Sequence, residues 1–92
     1  MTDSFKEIQD RDRELILQTY ARYPLIVSRA SDTKLVDEQG EVYTDFLAGI
    51  SVCNLGHSHP ELVEVIREQA EKLIHVSNLF YQREQLELAD RL

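Results

Sequence analysis

Several residue types are scarce in this sequence, and each shortage narrows the class of protein. The 92 residues include one cysteine, so no disulfide can form within the chain, as is usual for a protein of a reducing compartment. No uninterrupted apolar run approaches the roughly 20 residues that a membrane-spanning helix needs. The first residues carry acids and no apolar segment, unlike a signal peptide. We therefore expect a cytoplasmic protein that does not enter a membrane.

Basic residues are also scarce. Ten lysines and arginines stand against 17 aspartates and glutamates, which gives a formal net charge of −7. Nucleic-acid binding requires clustered cations that replace counterions at the phosphates, and no such cluster occurs, so we expect no nucleic-acid partner. With 42% hydrophobic and 29% charged residues, the composition is typical of one globular domain. Its core should be thin, because a chain of this length buries only roughly 60–65% of its unfolded surface.

The first segment has the pattern of a helix. Apolar residues recur near helical spacing from Ser4 to Tyr23, although Asp12 interrupts their stripe. Pro24 should end this helix, because the residue before a proline is pushed out of the α region.

From Leu25 the pattern changes to that of strands. The run LIVSRA is short and rich in β-branched residues, and two further strand-like runs flank the sequence EQG. Residues Asp37 to Gly40 suit a type I turn with Gly40 in the left-handed position of a bulge. The sequence therefore predicts a β-hairpin from Thr33 to Phe46, and an α/β fold class for the chain.

The second half predicts two helices joined by a loop. Apolar residues at i, i+3 and i+4 predict a helix from Pro60 to His75, and Ser58 stands at capping-box spacing before Glu61. The sequence VSNLFY predicts a loop, and a final helical pattern runs from Gln82 to Leu92. That last pattern stops without a capping residue, so we expect the chain to be an N-terminal fragment of a longer protein.

The sequence GHSHP raises the question of metal or nucleophilic chemistry. His57 and His59 could converge on a metal from an extended segment, but zinc usually takes three or four protein ligands and no further ligand spacing is present. Cys53 could act as a nucleophile beside His57, but a lone cysteine in an apolar run more often packs as a small hydrophobe. We favour the interpretation that the histidines belong to a turn that enters the helix.

One long run of the sequence resembles a known family. It is similar to the N-terminal region of class-III pyridoxal-phosphate-dependent aminotransferases and, within them, to the acetylornithine subgroup. The resemblance covers roughly Tyr20 to Leu92. The motifs that carry it are Asp37 and Gly40 of the turn, DFLAGI at residues 45–50, NLGHSHP at residues 54–60 and HVSNLFY at residues 75–81.

The resemblance implies a fold and a domain division. The chain would be the N-terminal part of a fold-type-I pyridoxal-phosphate-dependent transferase, with an N-terminal helix, a small antiparallel sheet and an amphipathic helix. Residues 1–24 would form an N-terminal helical arm, 25–81 the N-terminal part of the small domain, and 82–92 the truncated start of a large-domain helix. The GHSHP segment would be a turn into a helix, in agreement with the capping pattern.

The resemblance also implies an activity and its partners. Family members hold pyridoxal 5'-phosphate on a Schiff-base lysine, act as cytoplasmic homodimers and move an amino group from an amino acid to a 2-oxo acid by ping-pong transfer. In arginine or lysine biosynthesis the donor is N-acetylornithine, whose δ-amino group passes to 2-oxoglutarate. Succinylornithine, ornithine and 4-aminobutyrate are alternative donors. The contexts of Lys6, Lys34 and Lys72 are unlike the family's lysine site, so the chain alone should be inactive.

Some substrate-binding positions carry over from the resemblance, whereas no catalytic or cofactor-binding position does. Ile50 stands where ornithine-type relatives carry a tyrosine, and the loop around Asn78 approaches the active site across the dimer interface in such enzymes. The expected substrate-binding residues are Tyr20, Ile50, Ser51, Val52, Asn78 and Phe80. A second hypothesis is a small non-catalytic module that dimerises through exposed apolar helix faces.

Overall fold

The computed structural model describes residues 4–92, so the first three residues of the predicted arm lie outside the described part. The described chain forms two compact units, one that ends at His59 and one from Pro60 to Leu92. The first unit contains helix α1 (Phe5–Leu15), strands β1 (Val27–Ser31), β2 (Lys34–Asp37) and β3 (Val42–Thr44), and the single turn α2 (Ala48–Ser51). The second unit contains helices α3 (Pro60–Lys72) and α4 (Arg83–Arg91).

Helix α1 begins with a complete capping box. The Ser4 hydroxyl accepts the Glu7 N–H at 3.3 Å, and the Glu7 carboxylate accepts the Ser4 N–H at 2.6 Å. These two bonds satisfy donors that a helix start leaves free. The helix therefore begins where the apolar pattern predicts it.

The end of α1 differs from the prediction. The helix stops at Leu15 and Ile16 is extended, so the predicted continuation to Tyr23 is wrong. Side chains from the following segment bind the last turn instead: the Gln18 amide donates to the Asp12 carbonyl at 3.1 Å, and Arg22 pairs with the Asp12 carboxylate at 2.9 Å. These bonds tie the segment after α1 to the last turn of the helix.

The three strands form one antiparallel sheet in the order β1-β2-β3. Leu35 lies at its centre, between Ala30 on β1 and Tyr43 on β3. The register shifts at Ser28, whose hydroxyl donates to the carbonyls of Val36 at 3.1 Å and Asp37 at 3.2 Å. The predicted strand in LIVSRA is confirmed, with a start at Val27.

The predicted turn between β2 and β3, with Gly40 in the left-handed position, is confirmed. The Gly40 N–H donates to the Asp37 carbonyl at 3.1 Å, and Gly40 has the positive φ of 88° that the bulge position requires. The Asp37 carboxylate is buried at 7% exposure. It accepts the N–H groups of Gln39 and Glu41, each at 2.9 Å, and the Tyr43 hydroxyl at 3.0 Å.

These bonds determine the ionisation of both partners. Desolvation raises the pKa of Asp37, but the bonds from Glu41, Tyr43 and Gln39 together outweigh it and hold the pKa of that carboxyl below its ordinary value. The bond to Asp37 and the loss of solvent raise the pKa of the Tyr43 phenol. Asp37 is therefore an ionised acceptor at the centre of the turn.

The second unit follows the predicted pattern with shorter helices. Helix α3 begins at Pro60, as expected for a proline at the first helical position, and ends three residues before the predicted His75. Ser58 has a positive φ of 52° and lies one position outside the N-cap, so the predicted Ser58–Glu61 capping box is wrong. The loop at residues 76–81 and the final helix are confirmed.

No apolar side chain among residues 4–92 is buried, so the expected thin core is absent from the described chain. Many large apolar side chains are exposed to solvent, among them Phe46 at 93% exposure and Leu79 at 87%. Within the same residues, no helix combines the length and apolar character needed to cross a bilayer.

We predict that Tyr43→Phe raises the pKa of Asp37, because it removes the phenol donor and keeps the ring. A carboxyl with a lowered folded pKa stabilises the fold above its unfolded pKa of about 4, and that stabilisation is lost as the pH falls through the folded value. The free energy of unfolding of the variant should therefore fall less on acidification than that of the native chain. Carbon-13 shifts of the Asp37 carboxyl in an acid titration measure the pKa, with Tyr81→Phe, at a 98% exposed site, as the control. An unchanged Asp37 pKa would contradict this account.

Candidate functional site

The turn α2 has a left-handed backbone. Ala48, Gly49, Ile50 and Ser51 have φ values of 52°, 62°, 64° and 63°. The turn is closed by the Val52 N–H, which donates to the Ala48 carbonyl at 2.8 Å. Left-handed backbone costs about 1–2 kcal/mol for each residue other than glycine, and a β-branched residue such as isoleucine is an outlier there. Strain of this kind persists only where surrounding bonds hold it, and it clusters at functional sites.

Asp45 holds the start of this turn. One of its carboxylate oxygens accepts the N–H groups of Leu47 at 2.8 Å and Ala48 at 3.1 Å. The other oxygen forms a hydrogen bond with the ring Nε2 of His57. The side chains of Asp45 and His57 are 6% and 17% exposed, so the pair is largely shielded from water.

Both members of this pair are tied to the loop between β1 and β2. The backbones of His57 and Asp32 exchange two hydrogen bonds of 2.9 Å. The Asp45 N–H donates to the Thr33 carbonyl at 2.8 Å. The left-handed turn is thereby connected through Asp45 and His57 to the sheet.

Gly56 allows this connection. It has a φ of 93°, and a Cβ at this position would lie 3.0 Å from the Asp32 Oδ1 and 3.2 Å from the Asp32 Cα. Both the backbone conformation and the close approach require glycine.

The environment of Asp45 favours its ionised form. The hydrogen bond from His57 is the largest effect, and with the N–H groups of Ala48 and Leu47 it lowers the pKa of the carboxyl despite partial desolvation. The pair is therefore a carboxylate with a donating imidazole. Its contribution to stability is lost as the pH falls through this lowered pKa.

The histidines therefore have different surroundings. His57 is engaged by Asp45, whereas the Nδ1 atom of His59 is buried without a hydrogen-bond partner. Among residues 4–92, no group of three or more His, Cys, Asp or Glu side chains could hold a metal ion. Cys53 is half-buried next to the turn, 3.7 Å from where a Cβ on Gly49 would lie.

The sequence-predicted substrate residues fall in three places. Ile50, Ser51 and Val52 lie together in and directly after the left-handed turn, and all three are exposed. Tyr20 instead lines a cavity of about 340 Å³ between α1 and the segment that follows it. Asn78 and Phe80 are exposed in the loop of the second unit.

Sequence reasoning missed the residues that hold the turn. Asp45 and His57 are 12 positions apart, and the run AGIS has no local signal for left-handed backbone. The positive φ at Gly49 and Gly56 could have been suspected from their residue type. The pairing of Asp45 with His57 depends on how the chain after β3 packs against the β1–β2 loop, which the sequence pattern does not reveal.

The three lysines of the chain are all exposed. Lys6 pairs with Asp10 at 2.9 Å on the exposed surface of α1. Lys34 donates to the Thr44 hydroxyl at 2.7 Å across the sheet, also at an exposed position. Lys72 is the exposed last residue of α3.

Residues 16–92 match the family model of class-III aminotransferases. The chain belongs to this family. It is 46% identical over 88 residues to an acetylornithine aminotransferase of Methanosarcina mazei, a match that covers 96% of this chain and 22% of the relative. An acetylornithine aminotransferase of Caldanaerobacter subterraneus is 47% identical over 78 residues, which cover 85% and 20% of the two chains. The chain thus spans about a fifth of the length of these relatives.

Solved structures give the same family and the fold. An acetylornithine aminotransferase from Elizabethkingia anophelis matches with a TM-score of 0.90 and 31% identity, over 98% of this chain and 24% of that one. An ornithine aminotransferase from Toxoplasma gondii, with partial occupancy of pyridoxal phosphate at its active site, matches with a TM-score of 0.82 and 32% identity. That match covers 86% of this chain and 18% of the other. The chain therefore has the fold of an N-terminal portion of these enzymes, as predicted.

We predict that Gly56→Ala costs more stability than Gly40→Ala. Both glycines have positive φ, which costs an alanine about 1 kcal/mol, but a Cβ at Gly40 has no atom within 4 Å. A Cβ at Gly56 would lie only 3.0 Å from the Asp32 Oδ1 and 3.2 Å from the Asp32 Cα, a tight approach that should cost about 1–3 kcal/mol more. Amide hydrogen exchange at Asp32 and His57 reports the local effect. Equal protection at these two amides in both variants would show that the close approach does not matter.

Proposed function

We propose that this chain is the N-terminal segment of an acetylornithine-type aminotransferase. The parent enzyme would transfer the δ-amino group of N-acetylornithine to 2-oxoglutarate, with pyridoxal 5'-phosphate as cofactor, in arginine or lysine biosynthesis. It would act as a cytoplasmic homodimer. The observation that carries the proposal is the identity to the Methanosarcina mazei acetylornithine aminotransferase, which extends over almost the whole chain.

The turn α2 supports this choice of substrate. Ile50 is 81% exposed at the strained position, where the resemblance expects a tyrosine in ornithine-type enzymes. An apolar side chain suits the uncharged acetylated α-nitrogen of N-acetylornithine, whereas a phenol can hydrogen-bond the charged α-ammonium group of ornithine. Ile50, Ser51 and Val52 would therefore form one wall of the substrate pocket.

The segment would contribute surface rather than covalent chemistry. Its three lysines are exposed or paired, so the lysine that holds the cofactor would lie elsewhere in the parent enzyme. Tyr20, Asn78 and Phe80 would add to the substrate side of the pocket, Asn78 and Phe80 across the dimer interface. On this proposal, the isolated chain does not transaminate.

A hybrid enzyme tests the proposal. The 88 matched residues of the Methanosarcina mazei acetylornithine aminotransferase are replaced by those of this chain. We expect the hybrid to transaminate N-acetylornithine with a kcat/KM within about tenfold of the unmodified enzyme, a difference of about 1.4 kcal/mol. Succinylornithine, ornithine and 4-aminobutyrate are measured in parallel, and a preference for one of them would replace N-acetylornithine as the donor.

The isolated chain provides the complementary measurement. With pyridoxal phosphate, N-acetylornithine and 2-oxoglutarate it should form no glutamate, and it should acquire no protein-bound visible absorbance. Turnover by the isolated chain would contradict the proposal, as would a hybrid that folds and retains its cofactor but is inactive.

A substitution at Ile50 tests the substrate assignment. In the hybrid, Ile50→Tyr should raise the kcat/KM for ornithine relative to N-acetylornithine by at least about tenfold, because it adds a hydrogen-bonding group and removes apolar surface. Val42→Tyr is the matched control, since Val42 is also an exposed β-branched residue, at 60% exposure on β3. An unchanged preference in Ile50→Tyr would remove Ile50 from the substrate wall.

A further inference from the structure

We propose that Asp45 and His57 are positioning residues, whose hydrogen bond holds the left-handed turn α2 and thereby places Ile50 in the substrate wall. This inference rests on the proposed function, because it assigns the purpose of the turn to substrate recognition. Neither residue is a catalytic group, and neither was among the sequence-predicted site residues.

The backbone of the turn α2 is strained. Four consecutive residues have positive φ, and three of them carry side chains. A segment of this kind relaxes to ordinary backbone unless its neighbours prevent it. Ile50 itself is 81% exposed, so its own packing within the described chain does not hold the conformation.

Asp45 binds the backbone where it changes from right-handed conformation at Leu47 to left-handed conformation at Ala48. Its Oδ1 atom accepts the N–H groups of Leu47 and Ala48, and Ala48 is the first residue with positive φ. Two donors on one carboxylate oxygen fix the direction of both peptide units. Because the carboxylate is ionised, these are charge-assisted bonds, which are stronger than bonds between neutral groups.

His57 in turn fixes the Asp45 carboxylate. The imidazole bonds the second carboxylate oxygen, and the His57 backbone is in turn fixed to Asp32 by two hydrogen bonds. One carboxylate oxygen of Asp45 therefore binds the turn, and the other binds His57, whose backbone is bonded to the β1–β2 loop. The titratable groups that share the small cavity around the pair are Asp32 and Cys53.

The hybrid enzyme also tests this inference. Asp45→Ala removes both sets of bonds, and His57→Leu removes the ring donor while it keeps a side chain of similar bulk. Each should lower the kcat/KM for N-acetylornithine between about tenfold and 100-fold, the range expected when a binding group is misplaced. Each should also reduce the preference for N-acetylornithine over ornithine. His75→Leu, at an exposed histidine of the second unit, is the control and should change neither quantity.

Two conservative variants separate positioning from general stability. His57→Gln retains an N–H donor towards Asp45 and should keep most of the substrate preference. Ala48→Gly lowers the strain at the first left-handed residue, so it should partly restore the preference lost in His57→Leu. Cofactor retention by visible absorbance and the melting temperature are recorded for every variant. We expect Asp45→Ala and His57→Leu to lose the preference for N-acetylornithine over ornithine while they retain the cofactor. An unchanged preference in both variants would overturn the inference.

A direct measurement covers variants that do not assemble into an enzyme. In the 92-residue chain, intraresidue HN–Hα NOE intensities report positive φ at Ala48, Ile50 and Ser51. These should weaken in His57→Leu and remain in His57→Gln and His75→Leu. Retention of positive φ in His57→Leu would overturn the inference even if the hybrid were inactive. If the hybrid is active and the Asp45 and His57 variants keep its substrate preference, the inference about the turn is wrong but the proposed function stands. If the hybrid with the native sequence is inactive, the proposed function itself is in question.

Discussion

The hydrogen bond between the Asp45 carboxylate and the His57 ring fixes the part of the first unit that lies outside its sheet. It is largely shielded from water, and it connects two backbone features that are unfavourable alone. One is the left-handed turn at residues 48–51, and the other is the close approach of Gly56 to Asp32. The bonds made by the pair offset the cost of both, so the histidine of the GHSHP sequence has a structural partner.

Features governed by neighbouring residues were well predicted from the sequence. The hairpin turn at Asp37–Gly40 follows from turn chemistry within four residues, and α3 follows from the period of its apolar residues. The end of α1 was predicted wrongly because Gln18 and Arg22 bind Asp12, contacts that a periodicity argument does not contain. Local pattern therefore identified the elements, whereas side-chain bonds between segments set where one of them ends.

At the candidate site, too, the sequence identified positions but not the distant contacts that fix their conformation. The resemblance indicated Ile50, Ser51 and Val52, and the structure places the first two in the strained turn and Val52 directly after it. The reason that the turn holds its shape is absent from any local pattern, since Asp45 and His57 are 12 positions apart. Family motifs can thus point to positions of interest without a physical account of their conformation, and the hydrogen bonds of Asp45 supply that account here.

The path from Asp45 to His57 has a topological consequence. The side-chain bond and the backbone bonds at Asp32 and Thr33 close residues 45–57 into a ring without a covalent link. A ring with fixed ends tolerates exchange of its outward side chains, but an inserted or deleted residue would move one end off its anchor. Changes of ligand preference in this region should therefore arise through replacements, while changes in its length should be excluded.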